Sequence, residues 1–258
     1  MEHILFSIEQ GVASVVFNRP QVYNSMHRAM RLEFIEALKQ CTQDPQVRAV
    51  YITGTGKAFC AGQDLQEVVD PNGPSMDKIL SEGYNPIVQL IRSIEKPVVA
   101  AVNGVAAGAG ANIALACDLT IATASASFTQ AFSKIGLVPD SGGTWTLPRL
   151  VGLQRAAALM MLSDKISATE AADIGMIWKV LPDDSFQEAS LQIAQKLAQM
   201  PTRALGMTKR ALQQAMTTTF EQQLLVEEQL QTLAGNSFDY KEGVAAFLEK
   251  RAPSFKGE

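Results

Sequence analysis

Two short, mostly apolar runs, 4–8 and 12–17, flank Gln10-Gly11 and predict an opening β-hairpin. Asn18-Arg19-Pro20 ends the second run, and residues 21–26 carry no period and read as a loop. Met30, Phe34, Ala37, Leu38 and Cys41 recur at helical spacing and predict an amphipathic helix over 28–42. A further apolar run at 47–53 makes the order strand, helix, strand, as in a parallel crossover. Residues 76–94 read as helix with a break or kink at Pro86, closed by Lys96-Pro97. The uninterrupted apolar run 97–102 predicts a strand buried on both faces. Asn103-Gly104 is a turn dipeptide, and a helix of small residues follows as far as about Cys117. Residues 119–122, 126–128 and 179–181 read as short strands, 133–144 as a loop and 154–162 as helix. Ser167-Ala168-Thr169-Glu170 has the form of a capping box opening another helix.

Beyond residue 183 the period becomes entirely helical, over 183–199, 202–216, 219–234 and 239–250, with breaks at Pro201 and Gly235-Asn236. This change divides the chain into an α/β core, 1–182, and a helical region, 183–258. Phe220, Leu224, Leu230 and Leu233 are spread over more than one helix face. Such cover suits packing on another subunit or burial within the same domain, and the pattern leaves both open.

Composition narrows the class. With 258 residues, 47% hydrophobic and 19% charged, a sizeable core can form and global disorder is excluded. A net charge of −4 argues against nucleic acid or an anionic membrane as partner. No apolar run has the length of a membrane span, and the first residues lack a signal-peptide pattern. Cys41, Cys60 and Cys117 have no metal-ligand spacing and are too few for a disulfide framework. His3 and His27 offer little to a histidine metal site or a Ser-His-Asp triad. The expectation is a cytoplasmic protein without a metal.

Three places carry candidate chemistry. In Gly108-Ala109-Gly110-Ala111, glycines open a helix whose first amides have no intrahelical acceptor and face outward with the positive end of the dipole. Such a place favours negative charge, standing or developing, although close helix packing uses the same small residues. Ala61-Gly62-Gln63-Asp64 offers a second set of backbone amides, with Asp64 also suited to cap a helix. Asp140 lies between Pro139 and Ser141-Gly142-Gly143, where aspartate is also a common turn residue.

Four stretches in order, AFCAGQDL, PVVAAVNGVAAGAGANIALACD, FSKIGLVPDSGGTWTLPRLVG and DYKEGVAAFLEKRAPSFKG, resemble the crotonase (enoyl-CoA hydratase/isomerase) superfamily over essentially the whole chain. The resemblance implies the crotonase (ClpP-like) fold, a spiral of ββα units with a C-terminal helical trimerisation region. It implies a homotrimer or dimer of trimers acting on a coenzyme A thioester, with coenzyme A entering as part of the substrate and no other cofactor. Matched to the motifs, the backbone N–H groups of Gln63 and Ala109 become the oxyanion donors, and Asp140 the base. Ala61, Gly62, Asp64, Gly108, Gly110 and Phe132 would surround the substrate.

The acids separate the branches of this superfamily. Hydratases carry two glutamates where this chain has Asn112 and Phe132. Asp118 follows the helix and reads as structural. A single carboxylate can move a proton between carbons, because it returns what it takes, whereas hydration uses two groups. The expected activity is therefore isomerisation. FCAGQDL, NGVAAGAGA, AFSKIGLVPDSGGTW and GMIW resemble the branch that rearranges the ring epoxide of a phenylacetyl thioester to an oxepin in phenylacetate catabolism, with enoyl double-bond migration as a related activity. A hydratase with displaced acids and a non-catalytic acyl-CoA-binding relative are the alternatives.

Overall fold

The computed structural model describes all 258 residues. β1 (Ile4–Glu9) and β2 (Val12–Phe17) form the expected antiparallel hairpin. The chain then crosses through α1 (Arg28–Gln43) to β3 (Ala49–Gly54), which pairs in parallel with β2. Met30, Phe34, Ala37, Leu38 and Cys41 of α1 are buried as the period requires. His27 caps this helix, its Nδ1 accepting from the Met30 N–H at 3.2 Å.

A two-strand step then repeats. β3 passes to β4 (Ala58–Cys60), β5 (Val98–Val102) to β6 (Val105–Ala107), and β7 (Leu119–Thr123) to β8 (Ser127–Thr129). The first strand of each step enters one sheet, ordered β1-β2-β3-β5-β7-β10, and the second enters another, ordered β4-β6-β8-β9, where β9 is Ile166–Ser167 and β10 is Lys179–Leu181. Helices separate the steps: α2 (Leu65–Val69), α3 (Met76–Lys78) and α4 (Asn85–Ser93) after the first, and α5 (Ala109–Ala116) after the second. α6 (Gly143–Val151), α7 (Leu153–Leu162) and α8 (Ala168–Asp173) follow the third. The result is the expected spiral of ββα units. All five residues of β5 are buried, as a strand covered on both faces must be. Phe17 stands edge-on to Phe34 and Phe59, at 5.0 and 5.2 Å between ring centroids, inside the main core.

Four elements escaped the sequence pattern: the two- and three-residue strands β4, β6 and β9, and the helix α6. β6 has three residues, one of them exposed, too few to show an alternation. α6 begins inside the stretch read as loop and contains Pro148, a residue that reads as a helix breaker. Proline there forfeits one intrahelical bond, and the helix ends three residues later. Ahead of Pro86 the helix widens instead of breaking. Ile79–Tyr84 is a π-helical turn, in which the Asn85 N–H reaches back five residues to the Leu80 carbonyl. Widening there relieves the clash that Pro86 would make with the preceding turn. The capping box at Ser167 and Glu170 is formed.

The change to an all-helical pattern at residue 183 is not a break in packing. α9 (Phe186–Ala198) lies on the outer face of the larger sheet, where Phe186, Ala194 and Ala198 pack with Val12, Tyr51, Val99 and Ile121. α10 (Thr202–Ala215) is tied to the core by Lys209, whose Nζ donates to Asp118 Oδ2 at 2.9 Å and to the Ile91 carbonyl at 2.7 Å. α11 (Phe220–Gly235) and α12 (Phe238–Glu249) complete the chain, and α11 buries only Leu230. No helix is long and apolar enough to cross a membrane.

Asp118 is thus structural, as its place after α5 suggested: its Oδ2 also accepts from the Val98 N–H at 2.8 Å. Lys209 is buried while the Asp118 side chain keeps 26% of its exposure. Asp118→Ala leaves a buried ammonium without its anion. Urea unfolding of that variant is expected to show a loss of about 2–3 kcal/mol, somewhat under the figure for a fully buried pair, with most of it recovered in Asp118→Asn/Lys209→Met.

Candidate active site

β4, β6 and β8 run parallel, so their carboxyl ends share one edge of the smaller sheet. Each strand releases one candidate segment there. Ala61-Gly62-Gln63 follows β4, Gly108-Ala109 follows β6, and Gln130 to Asp140 follows β8. Loops at the carboxyl ends of parallel strands are the usual place for a ligand in α/β proteins.

The first two segments are held in direct contact. A Cβ on Gly62 would come 2.9 Å from the Ala107 carbonyl oxygen and 3.3 Å from the Ala109 nitrogen. A Cβ on Gly110 would come 2.2 Å from the Cys60 carbonyl oxygen. Gly62 has φ +92° and Gly108 has φ +52°, both in the region that favours glycine. These glycines let the chain after β4 lie against the first turn of α5. Ala109 is the first residue of that helix and is 2% exposed. Its N–H belongs to the group with no intrahelical acceptor. Gln63 sits in a parallel bridge with Met26, in which Met26 N–H donates to Gly62 O at 2.8 Å and Asp64 N–H to Met26 O at 3.1 Å. The Gln63 N–H falls between these two bonds and takes part in neither.

Asp64 serves the loop. Its Oδ1 accepts from the Gln66 N–H at 3.1 Å, capping α2, and its Oδ2 accepts from Arg19 Nη1 at 2.9 Å. With one partner on each oxygen, Asp64 ties the Gln63 turn to Arg19 and to the start of α2.

The third segment brings Asp140 and Phe132. Phe132 is 5% exposed, and its Cζ lies 3.7 Å from where a Cβ on Gly108 would stand, so the ring covers the glycine before Ala109. Asp140 is half-buried. Burial raises its carboxyl above the ordinary range, while Ser141 Oγ, donating to Oδ1 at 2.8 Å, and its own backbone amide oppose the shift.

Asn112, in a position where hydratases carry an acid, has both ends of its amide engaged. Its Nδ2 donates to the Asp140 carbonyl at 2.9 Å, and its Oδ1 accepts from Gln130 Nε2 at 2.8 Å. Gln130 is itself held through its carbonyl by Ser163 Oγ. The backbone at Asp140 is therefore fixed from the buried side of α5. Gly143, opening α6, has no room for a Cβ, which would meet Asn112 Nδ2 at 2.3 Å.

Arg31, Glu67, Tyr84, Gln130 and Ser141 carry no local mark of a site in the sequence. One signal was available for Arg31: it lies among Met30, Phe34 and Ile35 on the apolar face of α1, where a charged residue needs a partner.

The direction at Asp140 is directly measurable. A ¹³C-detected NMR titration is expected to place the Asp140 midpoint above the ordinary value of 3.8. Ser141→Ala removes a donor that favours the ionised form, so the midpoint should rise further. A midpoint at or below 3.8, or a downward move in the variant, would contradict the geometry.

Comparison with known proteins places the chain in a family. The family model described as enoyl-CoA hydratase/isomerase matches residues 7–258. The chain is 48% identical to the 1,2-epoxyphenylacetyl-CoA isomerase of Escherichia coli (strain K12), covering 100% of both. It is 34% identical to the 2,3-dehydroadipyl-CoA hydratase of the same organism, again over 100% of both. The crystal structure of an enoyl-CoA hydratase from Bacillus anthracis superposes with a TM-score of 0.92 at 33% identity, covering 99% of this chain and 100% of that one. With a family match spanning nearly the whole chain and the same fold in a solved relative, the protein belongs to the enoyl-CoA hydratase/isomerase, or crotonase, family of enzymes acting on CoA thioesters.

Proposed function

We propose that the protein is an isomerase of CoA thioesters, with Asp140 as its one proton-carrying group and the backbone N–H groups of Gln63 and Ala109 as the oxyanion donors. The observation that carries this reading is the state of Asn112. Its amide is committed at both ends, to Asp140 and to Gln130, and an amide cannot serve as the second acid or base that hydration uses. Phe132, at the other hydratase position, is apolar. One half-buried carboxylate remains among the three segments.

The chemistry follows from that inventory. The carboxylate of Asp140 takes a proton from a carbon near the thioester carbonyl. The electron pair left behind moves onto the carbonyl oxygen, where two amide donors stabilise the enolate. The proton returns at another carbon, so the product has the atoms of the substrate. A base of this kind contributes about 10²–10⁴-fold, and one oxyanion donor about 2.7–4 kcal/mol. A raised Asp140 pKa brings the group closer to neutrality, where accepting and returning a proton are both feasible.

For the substrate we propose 2-(1,2-epoxy-1,2-dihydrophenyl)acetyl-CoA, converted to the oxepin in phenylacetate catabolism, with enoyl double-bond isomerisation as a related activity. The relative named 1,2-epoxyphenylacetyl-CoA isomerase supports this. So does the aromatic ring of Phe132, which can pack on a planar acyl group and help exclude water. The reading needs no metal, nicotinamide or flavin. Exposed apolar residues on the last two helices, Phe220 at 72%, Phe247 at 83% and Leu248 at 74%, support a homotrimer or dimer of trimers. The buried, reduced cysteines suit a cytoplasmic enzyme.

A panel of CoA thioesters tests the reaction. The epoxide should be converted without added cofactor, a 3-enoyl thioester isomerised, and crotonyl-CoA hydrated slowly or not at all. Rapid formation of 3-hydroxybutyryl-CoA with the epoxide untouched would favour the hydratase reading. Light scattering at micromolar concentration should give three or six times 27.8 kDa, and a species at 27.8 kDa would remove the trimer.

A further inference from the structure

Behind the Gln63 turn lies a buried charged cluster that the reaction above does not use. Arg31 is 2% exposed. Its Nη1 faces three acceptors: the Met26 carbonyl at 3.0 Å, Gln63 Oε1 at 2.8 Å and Glu67 Oε2 at 2.9 Å. Tyr84, fully buried, donates its hydroxyl to the same Gln63 Oε1 at 3.1 Å, and the guanidinium carbon stands 5.4 Å from its ring centroid. Gln63 Nε2 donates to Glu67 Oε2 at 2.8 Å and to the Asp64 carbonyl at 3.0 Å. Both polar atoms of the Gln63 side chain are therefore gripped, and Arg31 also grips Met26, the residue across the bridge.

The fold makes costly room for this guanidinium. Arg31 Nε is buried without an acceptor. The π-helical turn at Ile79–Tyr84 packs against it, and a Cβ on Gly83 would come 2.6 Å from Nε and 2.8 Å from Cδ. A hydrophobic residue of similar volume usually serves a core as well or better than a buried ion pair. Stability alone thus gives no reason for the arrangement, whereas convergence on one loop residue does.

We propose that Arg31, Glu67 and Tyr84 form a positioning cluster that fixes the Gln63 backbone N–H as an oxyanion donor. This rests on the assignment of Gln63 under the proposed function. The cluster acts by geometry more than by field, because Glu67 balances Arg31. Burial alone would push the Glu67 carboxyl up, yet hydrogen bonds from Gln63, the Arg28 amide and Arg31 hold it below its ordinary range, so it is ionised at neutral pH. Donors must sit within hydrogen-bond distance of the place the oxyanion occupies, so a loop displaced by a fraction of an ångström loses much of its effect.

The test reads the carbonyl directly. Isotope-edited infrared spectroscopy of phenylacetyl-CoA, ¹³C-labelled at the thioester carbonyl, should show a stretch moved to lower wavenumber on binding the parent protein. In Arg31→Met/Glu67→Gln, which keeps the volume and removes both charges, that displacement should shrink by about half or more. In the same variant kcat should fall about tenfold to a hundredfold with KM nearly constant. Tyr84→Phe deletes one hydroxyl and should move both readouts the same way by less. It decides the matter if the double variant fails to fold. A folded variant with the parental carbonyl stretch and kcat overturns the cluster's role. No displacement in the parent protein overturns the oxyanion assignment itself, and this inference with it.

Discussion

The structure depends on a close backbone approach between the turn after β4 and the first turn of α5. Cys60 and Gly110 meet where no Cβ fits, and Gly62 lies against the Ala109 nitrogen. Parallel pairing of β4 with β6 brings the two chains to the same edge, and the glycines close the remaining gap. The covering ring of Phe132 and the Asp140 loop come from the next strand in the same sheet. The spiral thus provides three neighbouring strand ends, and one small site can draw on all of them.

Much of the polar chemistry near this edge supports main-chain positions. Asp64 and Arg19 shape the Gln63 turn, Asn112 and Gln130 hold the Asp140 carbonyl, and Arg31, Glu67 and Tyr84 enclose the Gln63 side chain. This division suits a reaction whose oxyanion donors are backbone amides. A backbone donor can be moved only by moving the chain, so the side chains that place it matter more than the identity of the residue that bears it.

Apolar runs, turn dipeptides and caps made most strands and the three candidate segments legible in the sequence, whereas the spiral was implied only by the resemblance that the order of the motifs carries. β4, β6 and β9 were not legible, because two or three residues carry no period, and α6 was hidden by Pro148. The partners of the site residues were hidden for another reason. Arg31 and Gln63 are 32 positions apart, and Asn112 and Asp140 are 28 apart. Only the packing of α1 on the π-helical turn, and of α5 on the third loop, brings them together. The helical region shows the same limit: a change of period marked its start, while the contacts of α9 and Lys209 show that it packs on the core.

The proposed reaction rests on one carboxylate, Asp140, carrying the proton. Hydrogen exchange tests it without a choice of product. Phenylacetyl-CoA has two hydrogens on the carbon beside the thioester, and proton NMR in D₂O follows their loss. The parent protein should catalyse this exchange, and Asp140→Asn, with unchanged shape and thioester affinity, should slow it by about 10²–10⁴-fold. Exchange at the parental rate in Asp140→Asn would show that another group moves the proton.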